Sequence, residues 1–225
     1  MYFIIVGPAI ILTIWAQIKV KSTFAKYSKI NSKSYLSGKE AAQRLLEKNG
    51  IHDVTVKETE GWFTDHYDPR SKVLRLSPDV YRGHSLASIG VAAHEAGHAI
   101  QDAKDYTPLV MRQAIAPVAM FGSNIAMFLI FFGFIINALG LIKLGIIAFA
   151  IAVVFQIITL PVEFNASKRA LLLITEYGIV TKEEQPHVAS VLNAAAMTYV
   201  AAAIAAVAQL LYFLLRSGLL GGRDD

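Results

Sequence analysis

Long apolar segments are the feature that most constrains how this chain can fold. Three of them lie in its second half, at residues 114–138, 144–160 and 188–215. A helix of about 20 apolar residues crosses the hydrocarbon core of a bilayer, where the backbone must satisfy its own hydrogen bonds. The composition agrees, since 55% of the residues are hydrophobic and only 17% are charged. The sequence therefore predicts membrane-spanning helices.

An earlier apolar segment, residues 2–20, predicts one more membrane helix. No basic region precedes it and no small-residue cleavage site follows it, so a retained helix is favoured over a signal peptide. The expected fold is a mainly α membrane protein with four transmembrane helices. These are residues 1–20, two helices within residues 114–161, of which the second ends at Pro161, and residues 188–216.

Basic residues indicate the orientation of these helices. The first apolar segment is followed by Lys19, Lys21, Lys26, Lys29 and Lys33. Because lysine and arginine beside membrane helices stay in the cytoplasm, we expect this end inside and the N-terminus outside. Residues 162–187 then return to the cytoplasm. The net charge of +4 fits a multi-pass plasma-membrane protein with basic flanks, and we expect the lipid bilayer as a partner and no nucleic acid.

Residues 21–113 have the composition of a soluble region. Ser37 is a candidate N-cap for a helix that ends at Asn49-Gly50. Residues 52–57 and 72–76 alternate like strands, and residues 65–71 between them are typical of a turn. We expect a small sheet with a hairpin, whose last strand offers a free edge to an extended peptide. Residues 217–225 form a short tail.

The motif His94-Glu95-x-x-His98 predicts a metal site on a helix. Residues four apart lie on one helical face, so both imidazoles can bind the same ion. Glu95 lies beside them, where a general base for a peptidase would be needed. The apolar flanks indicate a helix buried on most sides, which favours a metal site over two solvent-facing histidines. The expected cofactor is one Zn²⁺ ion per chain.

The third ligand is expected to be Glu163. The chain contains no cysteine, so histidine and carboxylate must build the whole site, and catalytic zinc normally has three protein ligands. Glu163 lies at the end of a membrane span on the expected side, where burying a carboxylate is expensive. The alternatives are a glutamate paired with Lys168 or Arg169, and Glu176 as the ligand.

Other polar side chains are candidates for stabilising an oxyanion or for orienting the ligands. Arg169 could orient Glu163, and His66 could contact substrate or metal or be an ordinary turn histidine. The full set of candidates is Arg169, Tyr199, Asn193, His66, His187 and Tyr177.

Three segments together carry a resemblance to a known family. VAAHEAGHAIQ, preceded by DHYDPRSKVLRLS and followed by PVEFNASKRAL, is similar to the YugP-type neutral zinc metallopeptidases of bacterial membranes. The resemblance implies a gluzincin-type peptidase whose zincin-like α+β catalytic part is residues 21–113, with zinc on His94, His98 and Glu163 and Glu95 as base. Membrane proteases of the HtpX and CAAX-processing kind are more distantly similar. They carry aspartate where this chain has Ser167.

A zinc-binding membrane protein without peptidase activity, such as a scaffold or a metal transporter, is the alternative. A transporter needs ionisable ligands within the membrane. The predicted spans instead contain neutral amides, namely Asn124, Gln156, Asn193 and Gln209. The sequence therefore favours a membrane-bound zinc endopeptidase that acts on a protein or peptide substrate, itself expected to be membrane-associated.

Overall fold

The computed structural model describes residues 1–220, and this part of the chain is mainly helical. Its elements follow in the order α1 (Tyr2–Ile5), α2 (Gly7–Tyr27), α3 (Gly38–Lys48), β1 (Thr55–Glu58), β2 (His66–Asp68), β3 (Val73–Leu76), α4 (Pro78–Tyr81), α5 (Leu86–Ala103), α6 (Thr107–Ile135), α7 (Leu139–Glu176) and α8 (Gln185–Arg216). The tail expected at residues 217–225 falls partly outside the described residues, from 221 onwards.

Three helices, α6, α7 and α8, are long and apolar enough to cross a membrane. No other helix among residues 1–220 reaches that length and composition, so the expectation of four spans is corrected to three. The segment at residues 1–20 differs because a break at Val6 separates α1 from α2. In addition, α2 continues to Tyr27 and so includes Lys19, Lys21 and Lys26, which makes it too polar.

Helices α6 and α7 form an antiparallel hairpin with closely packed backbones. A Cβ atom added to Gly145 would lie 2.9 Å from the carbonyl oxygen of Ala126, and one added to Gly122 would lie 3.2 Å from that of Ala148. Small residues permit such approach between membrane helices. The outward faces carry large exposed apolar side chains, as expected of a surface in lipid, including Phe121, Phe128, Phe131, Ile147 and Ile157.

Helix α7 continues well past the end expected for the third span. It has 38 residues, about 57 Å at 1.5 Å per residue, whereas the hydrocarbon core is about 30 Å thick. Pro161 lies inside the helix instead of ending it. Proline removes a single helical hydrogen bond, and buried residues just beyond it, Val162, Ala166 and Ala170, favour continuation by packing. The second half of α7 therefore projects beyond the membrane span.

The small sheet contains a hairpin of β2 and β3, which differs from the expectation of strands at residues 52–57 and 72–76 on either side of a turn. Strand β3 lies in the centre, antiparallel to β2 and parallel to β1. The last strand therefore has no free edge, and the edges belong to β1 and β2. Residues 66–68, expected in a turn, form β2, because their backbone pairs with Val73, Leu74 and Arg75 of β3.

Helix α5 is the centre of the soluble part. Of its 18 residues, 14 are buried, and its N-terminus is capped by the Ser85 side chain, which accepts from the Ser88 amide. The surrounding elements are α3, the sheet, and the outer halves of α7 and α8. They enclose α5 with apolar side chains that include Leu45, Leu74, Leu76, Ile174, Val188 and Leu192. The position of α5 relative to α7 is therefore fixed by packing on all sides.

Candidate metal centre

Two helices bring three potential metal ligands together. His94 and His98 lie one turn apart on α5, and Glu163 lies on α7 just after Pro161. Nε2 of His94 is 3.1 Å and Nε2 of His98 is 3.5 Å from Oε2 of Glu163. One ligand atom from each residue lies within 4.8 Å of those of the other two. Two imidazole nitrogens and a carboxylate oxygen form a donor set that zinc prefers.

A glycine permits the close approach of α5 and α7 at this point. A Cβ atom on Gly97 would lie 2.7 Å from the carbonyl oxygen of Ala166, a backbone atom that cannot move aside. Gly97 precedes His98, and Ala166 lies one turn after Glu163. The absence of a side chain at residue 97 therefore sets the distance between the histidine pair and the carboxylate.

Each histidine makes a second polar contact through its other ring nitrogen. Nδ1 of His94 lies 3.1 Å from Oγ of Ser167, and Nδ1 of His98 lies 3.0 Å from Oε1 of Gln101. When Nδ1 carries the proton and donates to these oxygens, Nε2 faces the cluster with its lone pair, as metal binding requires. Ser167 thus contacts one of the two candidate ligand histidines.

The contact to His98 continues into a hydrogen-bond chain between α5 and α7. The amide nitrogen of Gln101 donates to the Val162 carbonyl at 2.8 Å and to Oδ1 of Asn165 at 3.0 Å. Nε of Arg169 donates to the same Oδ1 at 2.7 Å. Arg169 is therefore linked to His98 through Asn165 and Gln101. Sequence reasoning missed Gln101 and Asn165, although Gln101 lies three residues after His98 and hence on the same helical face.

Arg112 and Tyr199 contribute further polar groups around Glu163. Nη1 of Arg112, on α6, lies 3.4 Å from Oε1 of Glu163, whose side chain is only 2% exposed. A buried carboxylate is unfavourable without such compensation. Tyr199, on α8, lies close enough to Glu163, Glu95 and Arg112 for its hydroxyl to be affected by their charges. Sequence reasoning did not name Arg112, whose signal is a single cation at the start of an apolar segment.

The carboxylates of the site favour a positive charge on His98. Burial alone lowers the pKa of this imidazole, but hydrogen bonding to Glu163 and the nearby charge of Glu95 raise it above the ordinary value. Glu95 itself is 9% exposed, and its position next to His94 places it on the same buried helix. The centre is thus electrostatically suited to a cation.

The remaining candidates from the sequence lie elsewhere. His66 is exposed on β2, with Nδ1 at 2.7 Å from the Thr64 carbonyl. The ring of His187 lies 5.3 Å from that of Tyr27. Asn193 is exposed and lines a cavity on the α2 side of α8. Glu176 is the last residue of α7, and Tyr177 packs against the soluble core. None of these five belongs to the cluster of three ligands among the described residues.

Comparison with known proteins agrees with this centre. A family model described as "Putative neutral zinc metallopeptidase" matches residues 2–218. The chain belongs to this family. It is 50% identical over 214 residues to "Putative membrane protease YugP" of Bacillus subtilis (strain 168), covering 95% of this chain and 94% of that protein. No solved structure gives a significant match. The resemblance expected from the three sequence segments is therefore confirmed, and the family name implies zinc.

Proposed function

We propose that this protein is a membrane-bound, zinc-dependent endopeptidase. The observation that carries the proposal is the cluster of His94, His98 and Glu163, whose ligand atoms lie within 4.8 Å of one another in a chain of the neutral zinc metallopeptidase family. The helix that supplies both histidines also supplies Glu95. A cluster with three protein ligands leaves room for a reacting molecule, as in catalytic zinc sites.

Glu95 is the proposed general base. Bound Zn²⁺ would lower the pKa of a water molecule to about 7 and would polarise a peptide carbonyl. Glu95 accepts a proton from the attacking water and passes it to the amine that leaves. Its burial on α5, next to one ligand and one turn from the other, holds the carboxylate in place for both transfers.

Tyr199 is the proposed donor to the negatively charged oxygen that forms when the carbonyl is attacked. Among the candidates from the sequence, it is the one whose hydroxyl lies near the charges of both Glu163 and Glu95. A fixed donor at that oxygen stabilises the transition state. His66, His187 and Asn193 have other partners or face other surfaces, so we do not assign them this role.

The centre is proposed to lie at the surface of the membrane. The 22 residues of α7 from Leu139 to Leu160 cover about 33 Å, close to the hydrocarbon thickness of about 30 Å. Glu163 follows directly. The hairpin of α6 and α7 brings Arg112 to the same level. The proposed substrates are therefore membrane proteins cleaved beside their spans, and the basic residues around the centre favour the cytoplasmic side.

The test pairs zinc content with proteolysis on the full chain purified in detergent, using unfolded casein as substrate. We expect one zinc ion per chain in the wild type and in Glu95→Gln, with cleavage lost in Glu95→Gln. Glu163→Ala is expected to lose both zinc and cleavage. Glu176→Ala is the matched control, because it removes a glutamate of the same helix outside the cluster, and it should retain both. Cleavage by Glu95→Gln, or full zinc content in Glu163→Ala, would contradict the proposal.

A further inference from the structure

Two aromatic side chains protrude from the loop between β1 and β2. This loop, residues 59–65, is called the aromatic loop below. Trp62 is 80% exposed and Phe63 is 51% exposed. Large aromatic side chains usually bury most of their surface. Neither ring fills the neighbouring cavity of about 780 Å³, although both line its wall. The loop therefore presents apolar surface outward.

The backbone of the aromatic loop is held in an uncommon conformation. Phe63 has a φ of 56°, in the left-handed region that a bulky residue adopts only at an energetic cost. The Phe63 ring packs on Phe24 of α2, with 5.3 Å between ring centroids. This contact fixes the loop against α2 and leaves its neighbour Trp62 pointing away from the core.

The packing of α2 against α8 gives the height of this contact above the membrane. Lys19 lines the same cavity as Met197 of α8. Met197 and Arg216, the end of α8, are about 28 Å apart along the helix, close to the hydrocarbon thickness of about 30 Å. With Arg216 at one edge of the hydrocarbon core, Met197 and therefore Lys19 lie near the other edge. Phe24 is five residues further along α2, about 7.5 Å beyond that edge. The aromatic loop is therefore at the height of the lipid headgroups.

The charges around the loop suit that environment. Exposed lysines lie on both sides of Phe24 along the chain, at Lys19, Lys21, Lys26 and Lys29, and Lys21 lines the cavity shared with Trp62 and Phe63. Tryptophan is favoured at the membrane–water interface, because its ring can contact apolar lipid while its N–H group donates to a polar partner. Lysines there attract lipid phosphates.

We propose that the aromatic loop rests in the headgroup layer of the bilayer, with Trp62 and Phe63 in contact with lipid and the lysines of α2 in contact with phosphate. The loop then adds a point of membrane contact beyond the helices α6 to α8, at the edge of the sheet. This contact is independent of the peptidase activity.

Tryptophan fluorescence tests the proposal directly, because the chain contains two tryptophans. In Trp15→Phe, Trp62 is the sole reporter. The full chain is placed in phosphatidylcholine nanodiscs with bromine atoms either near the top of the acyl chains or near their ends. We expect strong quenching by the shallow bromines and weak quenching by the deep ones. Trp62→Phe, which keeps only Trp15 on the exposed face of α2, gives the signal of that residue by itself for comparison.

A water-exposed reporter supplies the matched control. Arg44 is exposed on α3, so the triple variant that combines Arg44→Trp with Trp15→Phe and Trp62→Phe should show no quenching. The proposal is overturned if Trp62 is quenched as little as the tryptophan of this triple variant, or if the deep bromines quench Trp62 most. If brominated lipid does not quench Trp62 but its emission wavelength shifts when casein is added, the loop contacts substrate instead of lipid.

Discussion

Ser167 connects the chemistry of a single residue with the strength of metal binding. Its hydroxyl lies 3.1 Å from Nδ1 of His94, and by accepting a hydrogen bond from Nδ1 it would direct the lone pair of Nε2 toward the cluster. Contacts of this kind typically change metal affinity about 10- to 100-fold when they are removed. We therefore expect Ser167→Ala to bind zinc about 10- to 100-fold more weakly than the wild type, measured by competition with a chelator.

Two further variants make this test specific. Ser167→Asp keeps an acceptor for His94 and should retain tight zinc binding. Ser190→Ala on α8 removes a hydroxyl that donates only to the Pro186 carbonyl and should leave the affinity unchanged. Equal zinc affinities for Ser167→Ala and the wild type would contradict the assigned role.

At this scale, the sequence predicts ligands better than the groups that support them. The sequence indicates His94, Glu95 and His98 because the three residues lie within about one turn of one helix. It indicates Glu163 because burying a carboxylate at the end of an apolar segment is unfavourable unless the carboxylate binds a partner. Arg112 contacts Glu163 across a gap of 51 positions, and Asn165 contacts Gln101 across 64. Such contacts depend on how helices pack, which no local pattern specifies.

At the scale of the elements, the contact between α5 and α7 brings the residues of the centre together. A substitution of Gly97 tests the importance of this contact. A methyl group at residue 97 would meet the Ala166 carbonyl at 2.7 Å, and overpacking of a tight contact typically costs about 1–3 kcal/mol. In Gly97→Ala we expect α5 and α7 to separate, so that zinc affinity falls although all ligands remain. Chelator competition together with thermal unfolding of the metal-free protein measures both effects.

Gly90→Ala separates a change in the site from a general loss of stability. A methyl group at residue 90 would meet Cγ1 of Val188 at 2.9 Å, on the face of α5 toward α8. We expect this variant to unfold at a lower temperature but to bind zinc like the wild type. If both glycine variants lose zinc to the same extent, the close approach at Gly97 has no special role.

The elements themselves were partly readable from the sequence. The helix between Ser37 and Asn49 begins and ends as its capping residues indicate, because capping is a local interaction. The sequence does not predict the order of the strands, since β1 pairs in parallel with β3 although β2 lies between them in the sequence. Pro161 was expected to end a helix, and tertiary packing of the residues after it outweighs the one hydrogen bond lost.

At the scale of the whole molecule, the cluster of His94, His98 and Glu163 lies where the apolar first half of α7 ends and its buried outer half begins. This holds whether or not the segment at residues 1–20 crosses the bilayer, because α6 leaves from one side and α7 returns to it. The sequence could therefore predict that residues 21–113 and 162–187 lie together, as the contact of His94 with Glu163 shows, while predicting one membrane helix too many. The charges of α2 account for the difference, because Lys19 and Lys21, predicted to flank a span, lie within the helix.

This placement predicts which bonds the protein can cleave. Glu163 is three residues beyond Leu160, about 4.5 Å along α7, so the reacting carbonyl must approach the membrane surface closely.

Consider substrates with one membrane span and one cleavable segment, separated by rigid helical spacers that add about 1.5 Å per residue. We expect cleavage in proteoliposomes to decrease steadily as the spacer lengthens, because a rigid spacer lifts the bond away from the centre. Flexible spacers of Gly and Ser with the same number of residues should restore cleavage, since they can fold back to the surface. Cleavage that is independent of rigid spacer length would place the centre away from the membrane surface, and cleavage lost equally with both spacers would indicate a sequence preference instead of a position.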